Sequence, residues 1–118
     1  MQFLLLIYGS ERHWDTKDSG ERDKILAEYT AYTKSIAESG HLRGANELDV
    51  TSTASTVRVR DGKQLVTDGP FAETKEQLGG YYLVEAKDKK EALALGARIP
   101  SARWGSIEVR PIIPHQMP

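Results

Sequence analysis

The side chains best suited to chemistry in this chain are concentrated between residues 68 and 76, in the run DGPFAETKE. Asp68 and Glu73 are carboxylates that could move a proton or orient a ligand, and Phe71 between them could form an apolar wall. The Asp-Gly-Pro run also has a structural interpretation, because an aspartate often bonds to the backbone of its own turn. Phe71 has one too, since a phenylalanine is more often part of the core. The residues alone leave both interpretations open.

Three residues outside this run add to the candidate site. His41 follows a glycine that ends a helix, which makes it a better candidate base than His115, although it also fits an ordinary exposed loop histidine. Arg43 could contact an anionic ligand, and Trp14 either folds back over the core or touches the ligand. The predicted catalytic residues are Asp68 and His41, and the predicted ligand contacts are Trp14, Arg43, Phe71 and Glu73.

Composition excludes several kinds of site. The chain has no cysteine, so disulfides, thiolate metal ligands and a cysteine nucleophile are excluded. Its three histidines share no metal-ligand spacing, and we predict neither a metal nor another cofactor. Gly79-Gly80 precedes a strand rather than a helix, so the phosphate-loop patterns fail. A net charge of −1 disfavours direct binding to nucleic acid.

Length and hydropathy predict one domain over residues 1–118, with a core at about 2–112 and a loosely held tail at 113–118. The apolar run at residues 2–8 is too short to span a bilayer and lacks the features of a signal peptide. We therefore expect no membrane association. The absence of cysteine also fits a cytoplasmic location.

The elements that must position the candidate residues begin with a strand at 2–8 and a polar loop from Ser10 to Ser19. Asp18, with a glutamate three residues later, forms a capping box, so a helix begins there. Gly40 is placed to end that helix in a left-handed conformation. The small and polar residues 41–48 predict a loop.

Asp61-Gly62 is the strongest turn signal, because both central residues of a type I′ hairpin turn need positive φ. It joins predicted strands at 57–60 and 63–67. Alternation along these strands predicts that four side chains point toward the core: Val57, Val59, Leu65 and Thr67.

The glycine pair Gly79-Gly80 predicts a bulge or a close backbone approach before a strand at 81–85. A second capping box opens a helix at Asp88, Pro100 stops it, and the last strand spans 105–110. With the hairpin counted as one unit, this order predicts an α+β, ferredoxin-like antiparallel sheet with two helices on one face. The other face would be bare and apolar, and a second copy would cover it, so we predict a homodimer.

Nearly the whole chain, about residues 2–112, resembles the DGPF-domain branch of the YCII-related family. The similar segments are FLLLIYG, the run TVRVRDGKQLVTDGPFAETKEQLGGYYLVEAKDKKEAL and the ending GSIEVRPI. The central signature is Asp68-Gly69-Pro70-Phe71, followed by Glu73-Thr74-Lys75-Glu76 and the glycine pair. The resemblance implies a bacterial protein that forms a dimeric α+β barrel, with two sheets face to face and a pocket on each protomer.

The resemblance implies less about activity. Some relatives are similar to small-molecule lyases that use a histidine in the first helix and an aspartate before a proline near the end of the second. This chain has no histidine in its first helix and has Ile99 before Pro100, so that mechanism does not transfer. We predict a pocket near the DGPF segment for an unidentified small molecule, whether or not it is turned over. The resemblance also favours an alternative, a regulatory or ligand-sensing module that works with an extracytoplasmic-type sigma factor.

Overall fold

The computed structural model describes residues 1–115, which leaves the end of the predicted tail, residues 116–118, outside the described residues. Within 1–115 the strands are β1 (Gln2–Gly9), β2 (Leu42–Glu47), β3 (Ser55–Arg60), β4 (Lys63–Asp68), β5 (Gln77–Glu85) and β6 (Ser106–Pro111). The helices are α1 (Glu11–Asp15), α2 (Ser19–Glu38) and α3 (Lys89–Ala97), with 3₁₀ turns at Thr51–Thr53 and Pro100–Arg103.

Four strands form the main sheet in the order β2-β5-β1-β6, and every neighbouring pair is antiparallel. Strands β3 and β4 pair only with each other, as a separate two-stranded hairpin. This order, with α2 and α3 as the connections, is that of a ferredoxin-like α+β fold. The predicted fold class is confirmed.

The core lies between the two long helices and one face of the sheet. Phe3 and Leu5 on β1 are buried together with Tyr82 and Val84 on β5, as period-2 alternation requires. The helices contribute buried side chains at helical spacing: Tyr32, Ile36, Ala92 and Leu95. The phenol of Tyr32 donates a hydrogen bond of 2.8 Å to the carbonyl of Leu95, which joins α2 to α3.

The opposite face of the sheet has no helix over it. Leu4 on β1 pairs with Leu83 on β5, and Leu6 pairs with Tyr81, so these side chains share that face. All four are only partly buried within the protomer. The bare apolar face that the strand pattern predicts is therefore present.

The predicted helix caps are confirmed. The Asp18 carboxylate accepts a hydrogen bond of 2.8 Å from the amide of Glu21, and Asp88 accepts one of the same length from Glu91. Gly40 ends α2 with φ 82°, where a residue with a Cβ would be strained. These signals are local, because each depends on residues within one helical turn.

The prediction of a loop over 41–48 is wrong, because residues 42–47 form β2 and pair with β5. Edge strands are often short and polar, and β2 (LRGANE) pairs through its backbone with few side chains typical of strands. The order predicted from the sequence counts the hairpin as the second strand unit of the main sheet. That part of the prediction is wrong, because β2 takes this position and the hairpin is separate. The predicted polar loop after β1 also contains a short helix, α1, capped by the Ser10 hydroxyl.

The hairpin turn is as predicted, with φ 52° at Asp61 and 72° at Gly62. Its predicted register is wrong: Val57 lies opposite Val66, and Val59 opposite Gln64, so Leu65 lies on the other face. Neither face reaches the core, and Val57 is 60% exposed. The reason is that the hairpin has no second layer of its own protomer to pack against.

Gly79 and Gly80 play the two roles that their sequence suggested. The β1–β5 register passes from Ile7–Gly80 to Tyr8–Leu78, so Gly79 is the extra residue of a bulge. Gly80 lies so close to β2 that a Cβ added there would be 2.8 Å from the carbonyl oxygen of Asn46. The bulge occurs where β5 emerges from the DGPF segment.

Candidate functional site

The DGPF segment borders an open concavity of about 640 Å³ at one end of the main sheet. This is the end where Gly9 of β1 pairs with Gln77 of β5. The walls come from the start of α1, the turn at 51–53 and the chain from Pro70 to Gln77. The lining residues used below are Glu11, Arg12, Ser52, Glu73, Lys75 and Gln77.

Two side chains join the three walls. The Gln77 carboxamide accepts a hydrogen bond of 2.9 Å from the amide of Glu11 and donates one of 2.6 Å to the carbonyl of Thr74. The Glu11 carboxylate accepts bonds of 2.8 and 3.1 Å from the amide and the hydroxyl of Thr51. The amide of Glu11 is in the first turn of a helix and has no partner within that helix, so Gln77 satisfies it. The concavity thus has a fixed frame.

Charged side chains without protein partners surround this frame. Arg12, Glu73 and Lys75 are exposed, and none of their side chains forms a hydrogen bond or ion pair with another residue in the described range 1–115. Ser52, which carries a hydroxyl, also lines the concavity. Two cationic groups beside one carboxylate and a hydroxyl can bind a small polar molecule that carries charges of both signs.

Asp68 ends β4 next to this concavity but does not line it. Its side chain is exposed and makes no hydrogen bond to any residue from 1 to 115, so the structural interpretation, in which it bonds to the backbone of its own turn, does not hold. The corner is held instead through the backbone of Gly69, whose amide donates to Ala54 and whose carbonyl accepts from the Thr56 hydroxyl. Gly69 has φ 96°, a conformation that favours glycine.

Phe71 is 79% exposed, so the interpretation that it belongs to the core is wrong. It also does not line the concavity, although its neighbours Pro70 and Ala72 do. Among the predicted ligand contacts, Glu73 is the one that lies on the concavity wall.

His41 and Arg43 lie at the other end of the sheet. The carbonyl of His41 accepts a hydrogen bond of 2.7 Å from the amide of Glu85, at the far end of β5 from Gln77. That nine-residue strand is roughly 26 Å long at about 3.3 Å per residue. A pocket that combines His41 or Arg43 with the DGPF segment is therefore not formed within one protomer.

Both residues have local partners there. The His41 ring lies 2.7 Å from the Ser39 hydroxyl through Nδ1 and 3.2 Å from the Glu91 carboxylate through Nε2. The Arg43 guanidinium donates to the carbonyls of Gly40 and Leu42. The His41 contacts tie the end of α2 to the start of α3, whereas those of Arg43 stay within residues 40–43.

Trp14 is half-buried on α1, at the same end as the concavity but outside its lining. Its ring lies 5.5 Å from the Arg22 guanidinium, which also donates to the Trp14 carbonyl. Sequence reasoning missed Glu11, Arg12 and Gln77. The available signal was Ser10, a good N-cap residue in front of an acidic first turn.

Within 1–115, no three histidine or carboxylate side chains are grouped so that they could hold a metal ion. Over the same residues, no helix combines the length and the hydropathy needed to cross a bilayer.

The topology and the helix-covered face define an α+β domain of the ferredoxin-like class. The family model for the YCII-related domain matches residues 1–116. An uncharacterized protein of Rhizobium meliloti (strain 1021) is 35% identical over 114 residues, which cover 95% of this chain and 92% of that protein. The chain belongs to the YCII-related family.

Proposed function

We propose that this protein is a small-molecule-binding domain of the DGPF branch, cytoplasmic and homodimeric, whose ligand occupies the concavity beside the DGPF segment. One observation carries the proposal: Gln77 and Glu11 hold the walls in place, while the Arg12, Glu73 and Lys75 side chains around them have no partner in residues 1–115. A preorganised frame with uncommitted charges is what a polar ligand needs, because little order has to be created on binding.

The geometry supports binding better than turnover. The two candidate acid–base groups, Asp68 and His41, lie at opposite ends of the sheet, so they cannot act on one ligand in the same protomer. Glu11 and Glu73 both line the concavity, but the Glu11 carboxylate is bonded to Thr51, so Glu73 is the carboxylate available to orient a cationic group of the ligand. Arg12 and Lys75 would hold the anionic group.

The proposed homodimer is supported by the uncovered sheet face. Leu4, Leu6, Tyr81 and Leu83 form its apolar centre, and Arg110 and Glu108 on β6 form an ion pair of 2.8 Å at its rim. A patch that is apolar in the middle and polar at the edge resembles an interface between subunits. A two-fold axis would place this face against its own copy.

The test begins with native mass spectrometry of gently purified protein, which reports both the oligomer and any retained molecule. Thermal melts with a panel of amino acids and dicarboxylates then compare wild type with the double variant Arg12→Ala/Lys75→Ala. The matched control is Lys89→Ala/Lys90→Ala at the start of α3. We expect a ligand-induced rise in Tm for wild type and control that the double variant loses. No adduct and no shift with any compound would overturn the proposal.

A second candidate function is a regulatory module that contacts an extracytoplasmic-type sigma factor. The observation that favours it is the exposure of Phe71, since a phenylalanine that is 79% exposed beside a polar segment is suited to anchor a protein partner. Co-purification with the sigma factor, compared between wild type and Phe71→Ala, tests this function. Equal recovery with both proteins would argue against a Phe71 contact.

A further inference from the structure

We propose that the β3–β4 hairpin is an arm that packs, through one face rich in valine, on a second copy of this chain. The inference rests on the homodimer of the proposed function but assigns a surface that the sheet face does not include. It also explains why three hydrophobic side chains on one face of the hairpin are exposed: Val57, Val59 and Val66.

The two faces of the hairpin differ in character. On one face Val57 lies directly opposite Val66, with Val59 beside them, and these three are 60%, 57% and 63% exposed. The other face carries Arg58 opposite Leu65, and Arg60 opposite Lys63. In such a hairpin the apolar face is suited to pack on another surface, and the basic face is suited to contact solvent.

The hairpin receives almost no support from its own protomer. Among residues 1–115, none outside 54–69 forms a hydrogen bond or an ion pair with β3 or β4. An isolated two-stranded hairpin is marginally stable in water, and exposed valines do not improve it. A partner that covers the valine face would supply the missing layer.

The protomer is flat and wide, as a hairpin that extends to the side of the sheet would make it. The radius of gyration is 16.5 Å, whereas roughly 13.5 Å is expected for a compact chain of this length. The extents are 48 × 47 × 19 Å, so the molecule is a slab about one helix layer and one sheet layer thick. A slab this thin leaves no room for the hairpin above or below the sheet, so the proposal places it beside the sheet and against the copy that covers the sheet face.

Area favours a second copy as the occupant. The four-stranded face has a footprint of roughly 450 Å², from about 3.3 Å per residue and about 4.8 Å between strands. A standard interface buries about 800 Å² on each partner. One face of the hairpin adds roughly 200 Å² by the same measure, which brings the total closer to that size.

The test compares two lysine substitutions on adjacent residues of β4. Val66→Lys puts a charge on the valine face, and Leu65→Lys puts the same charge on the opposite face as the matched control. The dimer dissociation constant of each full-length variant is measured by analytical ultracentrifugation. We expect Val66→Lys to raise it at least tenfold, because each of two symmetric contacts gains a charge, and Leu65→Lys to change it less than twofold.

Hydrogen exchange of the wild type supplies a readout that does not depend on mutation. Amides of β3 and β4 should exchange at least tenfold more slowly in the dimer than in the monomer obtained by dilution. If Val66→Lys leaves the dimer intact and the wild-type hairpin amides exchange equally fast in dimer and monomer, the hairpin does not pack on the second copy. That result refutes the proposal but does not contradict a dimer formed through the sheet face. A wild type that is monomeric at every concentration refutes the arm and the homodimer together, while the ligand titration still tests the concavity. Equal weakening by both variants would show a charge effect and also refutes the valine face.

Discussion

Replacing Gln77 with methionine should loosen the wall of the concavity without unfolding the domain. The Gln77 carboxamide accepts a bond of 2.9 Å from the Glu11 amide and donates one of 2.6 Å to the Thr74 carbonyl. Methionine has a similar length but can form neither bond. Each such bond contributes about 1 kcal/mol, so the local opening free energy should fall by about 2 kcal/mol. That is a change of about 30-fold in the opening equilibrium.

The assay is amide hydrogen exchange at Glu11, followed by NMR or by short peptides from residues 10–16. The Glu11 amide is the direct donor to Gln77, so its exchange should accelerate by about 30-fold in Gln77→Met. Amides of Phe3 and Leu5 in the buried part of β1 should keep the wild-type rate, because their pairing with β5 is unchanged.

A matched control is Gln2→Met, since the Gln2 side chain is exposed and forms no hydrogen bond to another residue in 1–115. It should leave the exchange at Glu11 unchanged. If Gln77→Met accelerates exchange less than threefold, or if Gln2→Met has the same effect, the reasoning that Gln77 fixes this wall is refuted.

Three other measurements test the fold around the site. Gly80→Ala should lower the free energy of unfolding by about 1–3 kcal/mol, because the new Cβ would lie 2.8 Å from the Asn46 carbonyl oxygen. Tm should fall by about 4 °C for each kcal/mol. Gly79→Ala, whose nearest atom is 3.9 Å away, should shift Tm by less than about 2 °C, and equal losses would contradict the close approach. Asp68→Asn should change the urea-derived unfolding free energy by less than about 0.5 kcal/mol, and a larger loss would reveal a bond that the structure lacks. Burial raises the pKa of Tyr32 above its usual value of 10.0. Its contribution to the free energy of unfolding is therefore complete below pH 10 and should decline as the pH rises further. Tyr32→Phe should flatten that decline in urea titrations from pH 9 to 11.5, and identical pH slopes for the two proteins would refute this reasoning.

The parts of the fold that the sequence predicts are those coded within one turn or one pair of residues. Asp18 caps α2, Gly40 ends it, and Asp61-Gly62 closes the hairpin, all as expected. The strand β2 was missed because its backbone, rather than its side chains, holds it to β5. The hairpin register was predicted wrongly although the turn fixes it: with Asp61-Gly62 as a two-residue turn, Arg58 pairs with Leu65, so Leu65 cannot share a face with Val57 and Val59. The exposure of the valines was missed because the prediction assumed a core on one side.

The site predicted from the sequence and the concavity in the structure share the DGPF segment and Glu73 but no other predicted side chain. The DGPF segment does border a concavity, and Glu73 lies on its wall. The residues that fix its shape, Glu11 and Gln77, are 66 positions apart and meet only because β1 pairs with β5. No local pattern reports such a contact. For the same reason the sequence could not show that His41 is at the far end of the sheet.

The central position of β1 has a consequence for synthesis on the ribosome. Within this domain, β1 is made before the two strands that it pairs with: Phe3 lies opposite Val84 on one side and Pro111 on the other. The apolar side chains of β1 therefore remain exposed until β5 and β6, near the end of this domain, have been made. Contacts so distant in sequence close late and expose aggregation-prone strands in the meantime. This domain can therefore complete its fold only after β6 has left the ribosome, and we expect chaperone protection of β1 to affect its yield more than translation speed does.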